Sequence, residues 1–190
     1  MANKTSERGR LQVAIIAFAF FGPLLLATWM YSTGRFVPTG TSNRGALLEP
    51  VISLEQLLPN SPLIGAADGA WLMLYVNEAV CEESCREALY RQRQLRLMLG
   101  KEMDRIVRVF LHGDSVPDTV FIEGEHTGLK TIRDKDLGAL LNEKRPEQLM
   151  PGGIYLIDPL ANLVMYFPPD LNPGDVVDDV KHLLKLSQIG

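Results

Sequence analysis

The sequence predicts an α/β domain, a mixed sheet flanked by helices, held behind a single N-terminal transmembrane helix. Three observations carry that expectation. Residues 11–31 contain no charged side chain. Beyond them, short apolar runs alternate with segments of helical periodicity. The length of 190 residues, 46% hydrophobic and 22% charged, suits one domain with a real core. That composition excludes a disordered tail, a collagen-like repeat and a disulfide-rich miniprotein.

The first element is the apolar run LQVAIIAFAFFGPLLLATWMY, Leu11 to Tyr31. As a helix it reaches about 31 Å, the thickness of a bilayer's hydrocarbon layer. Gly22 and Pro23 interrupt it, which a membrane helix tolerates. Trp29 and Tyr31 stand at its far end, where aromatic rings favour the headgroup region. Residues 1–10 carry Lys4, Arg8 and Arg10 against Glu7, so the positive-inside rule keeps them cytoplasmic and exports the chain beyond Tyr31. A cleaved leader competes with this reading, but the run exceeds the usual apolar length and no A-x-A site comes after it. The expected organisation is a cytoplasmic N-terminus (1–10), an anchor (11–31), a linker (32–50) and one domain (51–190). In a bacterium this places the domain in the periplasm, on the inner membrane, where cysteine pairs can be oxidised. The net charge of −4 and an isoelectric point near 5.4 carry no nucleic-acid footprint.

Residues 32–50 are rich in Gly, Ser, Thr and Pro and read as a tether. Ala70–Val76 (AWLMLYV) is continuously apolar and short, as a strand buried on both faces should be. Cys85–Leu99 has helical spacing, with Leu89, Met98 and Leu99 apolar and Gly100 as its stop. Ile106–Leu111 is a β-branched strand, and Asp134–Leu141 a helix carrying Leu137, Leu140 and Leu141. Gly153–Ile157 and Leu163–Phe167 are strands joined by Asp158-Pro159-Leu160-Ala161-Asn162. Asp175–Leu186 closes the chain as an amphipathic helix with Val176, Val177, Val180, Leu183 and Leu184 inward. The order β-α-β-α-β-β-α is the thioredoxin order.

Two cysteines exist, Cys81 and Cys85, directly after the first of these strands. If the segment between them is helical, both sulfurs share a face with Cα atoms about 6 Å apart. The adjoining helix offers unpaired N–H groups that favour a thiolate. Arg86 adds positive charge nearby, while Glu82 and Glu83 oppose it. A purely structural staple explains little, because so short a loop removes little chain entropy. A redox or metal-binding pair fits an exported domain better.

The anchor, AWLMLYV, the C-x-x-x-C turn and YLIDPLANLVMYFP together resemble the SCO/SenC family, over roughly residues 45–188. The likeness is closest to the shorter SCO-like membrane proteins of proteobacteria. The resemblance implies a thioredoxin-like fold and a role in assembling cytochrome c oxidase, whose copper-site subunit or assembly factors would be the partners. In that family two cysteines and a histidine bind copper, and Cys81 and Cys85 match the cysteines. Eight residues before Asp158, where the family places its histidine, stands Met150. The family's turn also carries prolines, whereas this one reads Cys81-Glu82-Glu83-Ser84-Cys85-Arg86. A thioether suits Cu(I), so Cys81, Cys85 and Met150 are the expected copper ligands if copper is carried. The bond before Pro151 is a candidate for a cis peptide, as thioredoxin-like proteins often have there.

Among the histidines, His112 ends a strand where loops gather and is the one substitute ligand. His126 is expected in a solvated loop, and His182 on the last helix beside Lys181. No P-loop, GxGxxG, HxxH or Ser-His-Asp pattern occurs. Three functions remain open: a thiol–disulfide protein maturing the oxidase copper site, with Cys81 attacking and Cys85 resolving; a Cu(I) carrier; and a docking subunit with a structural disulfide.

Overall fold

In a computed structural model of the chain, residues 4–33, 43–115 and 118–187 are described. The chain divides into two units, residues 1–42 and Asn43–Gly190. The first contains helix α1, Lys4–Thr33, which continues through Gly22 and Pro23. Its stretch Ile15–Thr33 is long and apolar enough to cross a membrane.

The second unit is built on a six-stranded sheet of order β1-β6-β5-β2-β3-β4. The strands are β1 (Ala46–Ser53), β2 (Trp71–Asn77), β3 (Ile106–His112), β4 (Lys130–Ile132), β5 (Ile154–Ile157) and β6 (Asn162–Phe167). β2 pairs parallel with β3, and β3 with β4; the pairings β2/β5, β5/β6 and β1/β6 are antiparallel. The helices are α2 (Leu54–Leu57), α3 (Pro62–Ala67), α4 (Glu83–Met98), α5 (Thr119–Glu125), α6 (Lys135–Lys144) and α7 (Pro173–Leu186). The mixed sheet with helices on both faces is as expected.

The central strand explains its own composition. Leu72 and Leu74 point into one core cluster with Leu137 and Leu141 of α6. Met73 and Trp71 point into another with Leu95 of α4 and Val180 and Leu184 of α7. A strand covered on both faces needs apolar residues at every position, hence AWLMLYV. Val176, Val177, Val180 and Leu184 of α7 are buried and Leu183 packs at the edge of the same cluster.

Several boundaries differ from expectation. The segment read as a tether gives up residues 46–50 to β1, and its residues 34–42 lie outside the described residues. β1 is an edge strand with an irregular register between Leu47 and Ile52, where it carries Pro50 and a cis Glu49–Pro50 bond. Proline is accepted in such a strand because an edge need not donate every N–H. On α4, the apolar Met98 is exposed, because the helix ends there and the chain turns through Leu99 into a 3₁₀ turn at Gly100, whose φ is +64°. The β5–β6 turn is held by Asp158, whose carboxylate accepts the N–H groups of Leu160 and Asn162.

Candidate functional site

The site forms where β2 runs out. Asn77 ends the strand and its side-chain oxygen accepts the N–H of Ala79, starting a turn that delivers Cys81 to the foot of α4. Helix α4 begins at Glu83, so Cys81 lies before it and Cys85 inside its first turn. This corrects the expectation that both cysteines share a helical face. The two sulfurs form a disulfide with Cα atoms 5.1 Å apart, within the ordinary range. Their environments are unequal. Cys85 is 2% exposed, packed with Tyr75, Leu89, Phe110 and Leu129, whereas Cys81 is only partly covered.

Among the described residues no side chain caps α4: Glu82 sits at the N-cap without bonding any helix N–H. The first-turn donors and the positive end of the helix are left beside the sulfurs, where a thiolate would be stabilised. Arg86 does not serve the cysteines directly. It pairs with Asp118 at 3.7 Å and lies 4.4 Å from the Phe121 ring centre, tying α4 to α5. Phe121 and Ile122 of α5 pack, like Cys81, against the cluster that holds Cys85. Asp118 caps α5, accepting from the N–H groups of Val120 and Phe121. Sequence reasoning missed this helix; an Asp just before V-F-I is the cap signal that marks it.

Across a cavity of about 690 Å³ from the first turns of α4 lies the loop Pro151-Gly152-Gly153. Its other walls include Ser84, Glu87 and Arg91 of α4 and Phe167 of β6. The Tyr166 hydroxyl donates to the Met150 carbonyl and accepts the Gly153 N–H, pinning both ends of this loop. Burial raises the Tyr166 pKa, so the hydroxyl keeps the proton it donates. Gly153 is required there: a Cβ would stand 2.1 Å from the Phe167 carbonyl oxygen and 2.7 Å from the Tyr166 hydroxyl. No sequence pattern singled out Tyr166, because its function depends on a partner loop that only folding brings near.

Met150 begins this loop with its side chain 54% exposed. The bond before Pro151 is trans, so the expected cis peptide is absent at that position. His112 is half-buried at the end of β3, with Nδ1 2.9 Å from the carbonyl oxygen of Gly113. His182 is exposed on α7, as expected. His126 corrects the sequence reading: it is 1% exposed, edge-on to Phe121 with ring centres 4.8 Å apart, and neither ring nitrogen has a hydrogen-bond partner among the described residues. Burial, then the Arg108 and Arg93 guanidinium groups, hold its pKa below the ordinary value. Among the described residues no three His, Cys, Asp or Glu side chains cluster as a metal set. For copper the donors are therefore two sulfurs, available as thiolates once reduced, with no histidine, aspartate or glutamate grouped with them as a third ligand among the described residues.

A helix whose uncapped N-terminus carries a cysteine pair, set after the central strand of a mixed sheet, defines a thioredoxin-like protein. Residues 71–187 match the family described as the transmembrane-like, thioredoxin-like C-terminal domain, and the chain belongs to that family. Its fold is also that of solved Sco proteins. Copper-bound ScoI of Arabidopsis thaliana is 17% identical, with a TM-score of 0.51 over 65% of this chain and 89% of that one. Copper-bound yeast Sco1 is 16% identical, with a TM-score of 0.51 over 65% and 81%. Apo Sco1 of Thermus thermophilus is 15% identical, with a TM-score of 0.52 over 77% and 99%. The SCO/SenC resemblance read from the sequence agrees with these fold neighbours. No curated protein matches the chain in sequence.

Proposed function

We propose that the chain is a membrane-anchored, periplasm-facing thiol–disulfide protein that matures the copper site of cytochrome c oxidase. The observation that carries this reading is the asymmetry of the disulfide: Cys81 partly open and Cys85 buried, both at an uncapped helix N-terminus. In the reduced protein the Cys81 thiolate attacks one sulfur of a client disulfide and expels the other as a thiolate. Cys85 then attacks the Cys81 sulfur, releasing the second client thiol and leaving Cys81–Cys85 oxidised. The client gains the two electrons that this pair loses. Cys85 is protected from outside oxidants by its packing, so it resolves and does not initiate. The apolar helix α1 would keep the pair near a membrane-bound client at high effective concentration.

Copper carriage is the second reading, favoured by the copper-bound state of two of the fold neighbours and by the half-exposed Met150 on the facing loop. Copper would be cargo, held by the Cys81 and Cys85 thiolates with the Met150 thioether as a third soft donor. Two measurements on the detergent-solubilised full chain separate the readings. Equilibration in glutathione buffers should give one two-electron transition, lost in Cys81→Ser and Cys85→Ser. Cu(I) titration of the reduced chain should show uptake no tighter than micromolar. Tighter uptake that weakens in Met150→Leu establishes carriage instead. Normal oxidase activity in cells carrying both serine variants leaves only a docking role with a structural disulfide.

A further inference from the structure

The rim of the cysteine turn is acidic and its charges are unspent. Glu82, Glu83 and Glu87 are all exposed, and none has an ion-pair partner among the described residues. The basic groups nearby are otherwise engaged: Arg86 pairs with Asp118, and Arg91 donates to the carbonyl of Leu171. Glu87 also walls the 690 Å³ cavity that runs from the first turn of α4 along the Pro151–Gly153 loop. Apolar surface accompanies the charge. Val80, directly before Cys81, is 62% exposed, and Val120 on α5, beside the Phe121 that packs on the cysteine cluster, is 80% exposed.

This pattern is costly unless something uses it. Like charges at Glu83 and Glu87 stand one turn apart on the same helix face and repel. Carboxylates beside Cys81 also oppose the thiolate that the helix end favours. Val80, next to the open sulfur, adds apolar surface beside that charge.

We infer that this rim is the docking surface for the client, and that the segment it takes is cationic, with lysine or arginine flanking the client cysteines. The inference rests on the redox reading above and deepens it. Charge complementarity selects the partner: a basic segment neutralises the three carboxylates as it brings its disulfide to Cys81. Val80 and the cavity then cover the apolar side chains between its charges. Complementary charge acts mainly on the rate of encounter and on the rejection of wrong partners, so specificity lies in kcat/KM at low salt.

The test uses the reduced full chain in neutral detergent and two synthetic peptides with one identical disulfide loop, flanked by lysines in one and glutamates in the other. Each rate is divided by that of dithiothreitol on the same peptide, which removes the effect of the flanks on the disulfide's own reactivity. At about 0.01 M salt, where screening reaches about 30 Å, the lysine peptide should be preferred by about 10-fold or more. Near 1 M salt, where screening acts within about 3 Å, the preference should vanish. The combined Glu82→Gln, Glu83→Gln, Glu87→Gln variant should lose most of it, and Glu87→Gln alone part of it. Equal normalised rates, a preference for the glutamate peptide, or a preference untouched in the variants overturns the inference while leaving the redox reading intact. If neither peptide oxidises the reduced chain, the redox reading fails and the inference falls with it.

Discussion

The N-terminus of α4 and those of α6 and α7 are built in opposite ways. Asp134 caps α6 through the N–H of Leu137 and also accepts the Ser61 hydroxyl, while Asn172 caps α7 through the N–H of Gly174. Ser61 and Asp118 do the same for α3 and α5. Helix α4, the longest in the domain, has Glu82 at its N-cap and no side-chain bond to any N–H. A cap is worth about 1 kcal/mol, so its omission from so long a helix is a difference of purpose. The capped ends hold the sheet's cover in place. The uncapped end keeps its donors and its positive potential for the sulfurs beside it.

The largest effect expected from this contrast is on chemistry. Cys81→Ser should abolish thiol–disulfide exchange, and Cys85→Ser should trap a mixed disulfide with the client, visible as a mass shift. Thermal unfolding of either variant should change modestly, because opening so short a loop costs at most about 2 kcal/mol. An unfolded Cys81→Ser protein would make the pair structural and erase the contrast.

Next in size is a capped end. Asp134→Ala removes a cap and leaves the buried Ser61 hydroxyl without its acceptor, so unfolding free energy should fall by about 1–2 kcal/mol. Glu82→Ala should stay within about 0.5 kcal/mol, the range of neutral surface changes. Urea unfolding monitored by far-UV circular dichroism compares them, and equal losses would show that α4 is capped after all.

Glu82→Asp sharpens the same point, because it keeps the charge and shortens the side chain to one that can cap. Stability should rise by about 0.5–1 kcal/mol while the thiol pKa of Cys81 rises, since the new carboxylate takes up its donors. Iodoacetamide alkylation against pH reads the pKa, and a gain in stability with no change there would detach the sulfurs from the helix end.

The smallest effect concerns His126, behind α5. Its folded pKa lies below 6.5, so folding favours the neutral ring and the unfolded chain binds more protons just below that pH. Stability should be full above pH 6.5 and decline as pH falls below it. His126→Phe should flatten the melting temperature between about pH 5 and 7, and an unchanged slope would place the titration elsewhere.

Much of this was legible in the sequence. A strand buried on both faces announces itself by unbroken apolar character, so β2, β3 and β5 could be read directly. Helices α4, α6 and α7 showed their apolar stripes at the right period. β1, β4, α3 and α5 escaped, since each is short, carries proline or lies half in solvent, and leaves no periodic signal. His126 looked like a loop residue because its polarity is local, whereas in the fold it caps α5 edge-on to Phe121, with Arg108 of β3 donating to its carbonyl oxygen.

The sequence by itself determined the apolar helix, the central strands, and the presence of two cysteines at the start of a long helix. Those properties depend on residue type and spacing within a few turns of chain. Only the tertiary structure decided that Cys85 is buried and Cys81 open, that Tyr166 holds the opposing loop, and that Arg86 is committed to α5. Each of these depends on groups far apart in sequence meeting at one end of the sheet, and pairing across such distances has no local period to read.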